Sequence, residues 1–461
     1  MKKIASLVLV LIVLTLSSTF CVNAEKIGDC DWNYSGTTLT ISGNGFTNEA
    51  FIESPEWQDT VTEVIIKNGV TGIGEYAFYE CKNLKKVTIP ETVNVIGHDA
   101  FNGCESLEEI NIPSGLKTLE YQVFYGCKAL EKLELSENLT KIEASAFYGC
   151  SKLKNFSVPQ SVSYIGYDAF LGCESLTEII VPDGVKFIAF QTFADCKNLE
   201  KLEIPDSVKR IEYRAFAGCT KVKEINIPEG VTTIGYQAFQ GCKNLTEIKL
   251  PSSLTSIGYQ AFSECIRVKK INIPDTVKRI DFGAFEYCQS LTEMIVPDSV
   301  VSMGDRVFAR CYELGSVKLS ENLIALGEMA FYECKKLREI KVPDSVEQIG
   351  ISAFENCEML EQISIGKGVN TINSNILEGT IVSNVYYADK KDVWETIMLS
   401  ENPKLDSARM HYKTSEMPDL QPLEEEKEEF GALPIILISA AVVICVGGAV
   451  VTVLSINKKK S

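Results

Sequence analysis

The stretch Ile234-Gly235-Tyr236-Gln237-Ala238-Phe239-Gln240-Gly241-Cys242-Lys243-Asn244-Leu245-Thr246-Glu247-Ile248-Lys249-Leu250-Pro251 decides the fold, because it recurs along the chain. Cysteines stand at 81, 104, 127, 150, 173, 196, 219, 242, 265, 288, 311, 334 and 357, every step being 23 residues. Phe stands three residues before each of these thirteen cysteines, and Leu or Val three after. No insertion breaks the register over twelve steps, which a loop-rich fold would not keep. The period extends back once, with Gln58 at the cysteine position and Val61, Val64, Ile66, Val70 and Ile73 in the apolar columns. About fourteen coils are therefore expected over 58–379.

One copy shows how a coil is built. Ile110 and Ile112 alternate with polar neighbours, the period-two mark of a strand with one buried face. Pro113 ends that strand, since it has no N–H for the next ladder position. Leu116 and Leu119 make a second short apolar edge. Gly fills the following turn in many coils, as Gly97, Gly166, Gly235, Gly258 and Gly350. One coil cannot bury its own apolar face, whereas stacked coils share a continuous core. The expectation is a mainly β solenoid with short turns.

The string I-G-x-x-A-F-x-x-C-x-x-L-x-x-I-x-I-P resembles the leucine-rich repeat of BspA-type surface proteins, in its Cys-Phe subclass. The resemblance covers about 70% of the chain and implies a leucine-rich repeat solenoid capped at both ends. Within the first cap, 25–57, the segment 31–57 with Gly36-Thr37-Thr38-Leu39-Thr40-Ile41-Ser42-Gly43 is similar to the family's N-terminal unit. Within the second, 380–415, Val385-Tyr386-Tyr387 and Trp394 are similar to its closing unit. Val222 and Val268 replace Leu, and Ser136, Ser320 and Gly366 replace Pro, which are mild departures. The family also implies surface display and adhesion or recognition, with ligands that differ between members.

Working outward to the ends, residues 1–24 read as a secretory signal. Lys2 and Lys3 precede the uncharged run Ile4–Leu16, and Val22-Asn23-Ala24 offers small residues for cleavage after Ala24. Residues 416–431 hold seven acids and one Lys and read as an extended acidic stalk. The 25 uncharged residues 432–456 are long enough for a transmembrane helix. Lys458, Lys459 and Lys460 in the tail 457–461 place that end in the cytoplasm and the bulk of the chain outside, a single-pass type I arrangement in the cell membrane.

The chain carries 45 Lys and Arg against 62 Asp and Glu over 461 residues, a net charge of −17 that disfavours nucleic acid as a partner. His98 and His411 are the two histidines, too few for a His relay or His-rich metal centre. No cofactor or metal is expected. The sequence lacks a phosphate-cradling glycine loop, a nucleophile elbow and an EF-hand string, so no enzyme is expected and no catalytic residue is assigned.

Three columns remain. The cysteine column supplies one thiol per coil along one line, unlike a tetrahedral zinc site, and reads as buried free thiols acting as small apolar residues. Five residues after each cysteine stand Lys86, Glu109, Lys132, Asn155, Glu178, Lys201, Glu224, Glu247, Lys270 and Glu293. Their signs mostly alternate, so opposite charges face each other across coils. Six residues before the cysteines stand Tyr121, Ala144, Tyr167, Phe190, Tyr213, Tyr236, Tyr259 and Phe282. These seven aromatics form the candidate ligand-binding line, since Tyr and Phe stack on sugars or anchor protein partners; mutual packing between coils is the competing reading. Four Asn-x-Ser/Thr sequons, at Asn33, Asn138, Asn155 and Asn244, matter only in a glycosylating host. The functional expectation is non-catalytic binding of extracellular proteins or glycans; the alternative is a structural envelope or spacer protein that associates with itself.

Overall fold

The computed structural model describes residues 22–47, 57–154 and 156–420. The chain divides into a unit ending at Met417 and a second unit from Pro418, of which residues 418–420 are described and carry neither helix nor strand.

The first unit is the solenoid. Val22–Ile27, Cys30–Ser35 and Thr38–Gly43 form an antiparallel meander. Thr38–Gly43 then pairs in parallel with Glu63–Ile66, which pairs with Lys86–Thr88, and that with Glu109–Ile110. Further along, the register is one coil length: Glu178 faces Lys201, and Ile225 faces Ile248. A second line of two-residue strands runs through Phe187–Ile188, Arg210–Ile211, Thr233–Ile234 and Ser256–Ile257. At the far end Asn384–Tyr387 pairs in parallel with Gln362–Ile365 and Arg409–Tyr412. Both caps thus continue the parallel ladder, and the stack has about 16 turns where the period alone gave fourteen.

The strand Val22–Ile27 begins inside the expected leader; cleavage after Ala24 leaves Glu25, Lys26 and Ile27 paired with Trp32, Asp31 and Cys30. Residues 1–21, the stalk from 421 on, the apolar run 432–456 and the tail lie outside the described residues. Among the described residues no helix is long and apolar enough to cross a membrane.

The Phe column forms the axis of the core. From Phe78 to Phe354 successive rings stack 5.2–5.9 Å apart and within 19° of parallel. The cysteines are buried free thiols, but they do more than fill space. Each from Cys104 to Cys357 donates its Sγ–H to the Phe carbonyl of the preceding coil, at 3.1–3.4 Å. That same carbonyl also accepts the N–H of its own coil's cysteine, as Phe101 does from Cys104 at 3.2 Å. The column needs a small side chain that donates.

The turn glycines act differently from the expectation. Gly166 and Gly235 lack a positive φ; a Cβ there would lie 2.4 Å from the Ala144 nitrogen and 2.6 Å from the Glu212 carbonyl carbon, so they permit close approach of coils. The left-handed residues stand elsewhere, five residues and one residue before each cysteine, for example Gln237 (φ 54°) and Gly241 (φ 72°). The substitutions for Pro are harmless because its turn survives them: Leu139 N–H still reaches the Ser136 carbonyl at 3.0 Å, as Leu116 reaches Pro113 at 3.2 Å.

Candidate interaction surface

The aromatic line lies on the surface. Tyr121, Tyr167, Phe190, Tyr213, Tyr236 and Tyr259 are 37–55% exposed, and Phe282 is half-buried. They stand just after the second short strand and are held by the backbone. The N–H of the next residue donates to the carbonyl of the aromatic one coil on, as Gln237 does to Tyr259 at 2.8 Å. Stacking is partial. Phe190 and Tyr213 stack at 5.2 Å, Tyr259 and Phe282 at 4.8 Å, and Tyr236 tilts against Tyr259 at 5.9 Å. Ala144 is buried and leaves a one-ring gap between Tyr121 and Tyr167. Packing between neighbours and partial exposure therefore coexist in this column.

The charged ladder faces solvent from the longer strands. Lys86 reaches Glu109 at 3.1 Å, Lys201 reaches Glu178 at 2.5 Å, and Lys270 reaches Glu293 at 2.5 Å. Hydrogen bonds to Glu178 and Glu203 raise the Lys201 pKa. Two residues after the ladder position Glu109, the Asn111 side chain bridges to the backbone of the preceding coil. Its Nδ2 donates to the Ile89 carbonyl at 2.6 Å, and its Oδ1 accepts the Ile89 N–H at 2.8 Å. Along this stretch of the ladder lies a cleft of about 880 Å³, lined by Glu109, Asn111, Glu131, Lys132 and Lys152 among others.

Reading the sequence missed three features. Tyr125 and Tyr148, two residues before their cysteines, stack at 4.5 Å. Arg310 lies between two rings, 4.9 Å from the Tyr287 centroid and 5.5 Å from that of Tyr332. Neither feature repeats every coil, so neither stands out against the period. Third, asparagines two residues after a cysteine bind the preceding coil: Asn198 donates to Glu174 O at 2.8 Å and Asn244 to Thr220 O at 2.9 Å. The sequon amide of Asn244 is thus engaged in the fold, as is that of Asn138 with Ser114 O; Asn155 lies outside the described residues. Among the described residues no three His, Cys, Asp or Glu side chains converge as a metal-binding group.

The profile of the BspA type leucine rich repeat region matches residues 56–177, 163–292 and 278–405. The chain belongs to this family. Among solved structures, a leucine-rich repeat protein from Bacteroides ovatus is 25% identical, with a TM-score of 0.59 over 84% of this chain and 99% of that one. A leucine rich cell surface protein from Faecalibacterium prausnitzii is 27% identical over 81% of this chain and 97% of that one, with a TM-score of 0.42. A leucine-rich repeat protein from Eubacterium ventriosum is 25% identical over 77% and 94%, with a TM-score of 0.46. No curated protein matches the chain.

Proposed function

We propose that this BspA-type protein is a non-catalytic adhesion or recognition module, secreted through residues 1–24 and held in the cell membrane by a helix at 432–456. Its partners are extracellular proteins or glycans. The observation that carries this reading is the exposed aromatic column, whose rings leave 37–55% of their residue surface open in six coils. A preformed surface of this kind binds with little ordering cost, and many copies on one cell add avidity.

The test uses the full chain, purified in detergent and displayed multivalently on beads, against a glycan library and a panel of matrix and cell-surface proteins. A hit is expected that weakens at least tenfold when Tyr213, Tyr236 and Tyr259 are replaced together by Ala. Hits that ignore the triple substitution, or none above a scrambled-surface control, defeat the reading.

One observation favours the self-assembling alternative. Met398–Leu399, at the end of the second strand line, is 67% and 42% exposed, and an exposed apolar edge strand invites pairing between copies. Concentration-dependent mass in light scattering, abolished by Met398→Lys, would mark that alternative.

A further inference from the structure

The column two residues before each cysteine changes abruptly over three successive coils, from Glu286 to Ala309 to Tyr332. Backbone bonds hold these coils in step: Tyr287 N–H to Ala309 O at 2.9 Å, and Arg310 N–H to Tyr332 O at 2.6 Å. The small Ala309 between two longer side chains leaves room, and a cavity of about 150 Å³ opens there. Its lining is Glu286, Arg306, Ala309, Arg310, Met329 and Tyr332. That is space for roughly five water molecules by their share of liquid volume.

The charges around this cavity are held apart. Glu286 is 7% exposed, and among the described residues its carboxylate accepts one hydrogen bond, from the Gln260 amide at 3.3 Å. A buried carboxylate ordinarily has a cation beside it. Two guanidiniums line the same cavity, yet among the described residues neither pairs with Glu286, and each is tied elsewhere. Arg306 faces Glu328 at 3.9 Å and lies over the Phe282 ring at 5.9 Å. Arg310 hydrogen-bonds to the Tyr287 hydroxyl, reaches Glu333 at 3.4 Å and lies 5.5 Å from the Tyr332 centroid. A guanidinium carries several N–H donors, so these contacts do not exhaust it. A lone anion in the cavity would meet Glu286, and a lone cation would meet two arginines. A ligand that carries both signs avoids either repulsion.

We propose that this cavity is a site for a free α-amino acid with a small side chain, its ammonium on Glu286 and its carboxylate on Arg306 and Arg310. Both contacts are charge-assisted hydrogen bonds. One carbon separates the two charged groups of such a ligand, which suits so small a space, and Met329 and Tyr332 wall the side chain. The site takes a small molecule instead of a cell-surface partner and goes beyond the adhesion reading. None of Tyr213, Tyr236 and Tyr259 lines it, so the two readings fail separately.

The experiment is saturation-transfer NMR on the full chain in detergent, with L-alanine, N-acetyl-L-alanine and L-alanine amide as probes. Each of the last two lacks one charge and stands for one end of a peptide. Transfer to the alanine methyl is expected, and none to the other two. Glu286→Gln and Arg306→Gln are each expected to weaken alanine binding about tenfold or more. Both put into their column a residue it already carries, Gln240 and Gln237, the latter at a φ of 54°, so both variants should fold, which thermal melts check. Ala309→Tyr, which repeats Tyr332 one coil earlier, should abolish binding by filling the cavity. Absence of transfer to alanine overturns the proposal, as does equal transfer to either control, whatever the variants do. Full alanine binding by any of the folded variants overturns it too.

Discussion

Phe216 and Tyr213 stand three residues apart in one coil, and both stack at coil spacing, Phe216 on its neighbours at 5.5 and 5.4 Å and Tyr213 on Phe190 at 5.2 Å. Phe216 is fully buried and Tyr213 is 37% exposed. Ring stacking therefore follows from any aromatic repeated in register and is no evidence of binding by itself. What separates the two columns is freedom to change. The inner column is Phe in all thirteen copies, while the outer one becomes Ala144, Asp305, Glu328 and Ile351. Inner columns hold the stack together; outer ones are free to vary from coil to coil.

The largest test of that division is alkaline pH. Burial pushes the inner thiols up, Cys242 and Cys288 to about 12, while an unfolded thiol titrates near 8.5. A group with a raised folded pKa keeps its proton after the unfolded form has lost it. Stability contributed by these thiols is thus intact below about pH 8.5 and lost as pH rises from there towards 12. Each thiol adds a slope of about 1.4 kcal/mol per pH unit, and thirteen share the column. Circular dichroism should show steep, cooperative unfolding above about pH 9, with thiols unreactive to a disulfide reagent until then. A protein still folded at pH 11, or native thiols that react at pH 7.5, would break the account.

Next come single rings. Phe216→Ala is expected to cost about 3–5 kcal/mol, since it opens a cavity in the stack. Tyr213→Ala should stay within about 1 kcal/mol, because its ring already meets water. Equal losses in thermal melting would erase the distinction between the columns. A finer cut is Cys219, whose thiol donates to the Phe193 carbonyl at 3.2 Å. Cys219→Ala is expected to cost about 1–3 kcal/mol by removing a buried donor, and Cys219→Ser to recover part of it. If Ser is no better than Ala, the column serves only as filler.

Much of this architecture was legible in the sequence, because each coil repeats the same demand. Phe, Cys, Leu and the alternating Ile recur at one spacing, and that spacing is the parallel register seen between Glu178 and Lys201. The caps were undercounted because Thr38–Gly43 and Arg409–Tyr412 join the ladder by backbone pairing without the coil's side-chain pattern. The left-handed positions were invisible for a related reason. Tyr76, Asp168, Arg214 and Met329 all adopt φ near 50–55° at one column, so residue type carried no glycine signal there, and hydrogen bonds between coils impose the conformation. For the candidate site, the exposed line was readable from its column. The stacked rings of Tyr125 and Tyr148 were not, since a pair confined to two coils leaves no period.

The smallest effect concerns the charged ladder. Lys201 is paired with Glu178 and Glu203, at 2.5 and 2.9 Å, yet about half of each side chain is exposed. Solvent screening and side-chain entropy leave such pairs about 0–1 kcal/mol, so Lys201→Ala should barely move the melting temperature. Arg338 differs: Nε and Nη2 grip Glu361 at 2.8 and 2.6 Å, and its side chain is 21% exposed. Arg338→Ala should cost more, because the fork is fixed and partly desolvated. If salt titration shows Lys201 and Arg338 contributing alike, depth within the coil is not what grades these columns. If only the Arg338 contribution survives high salt, the gradient from buried column to open surface extends to charge as well as to rings.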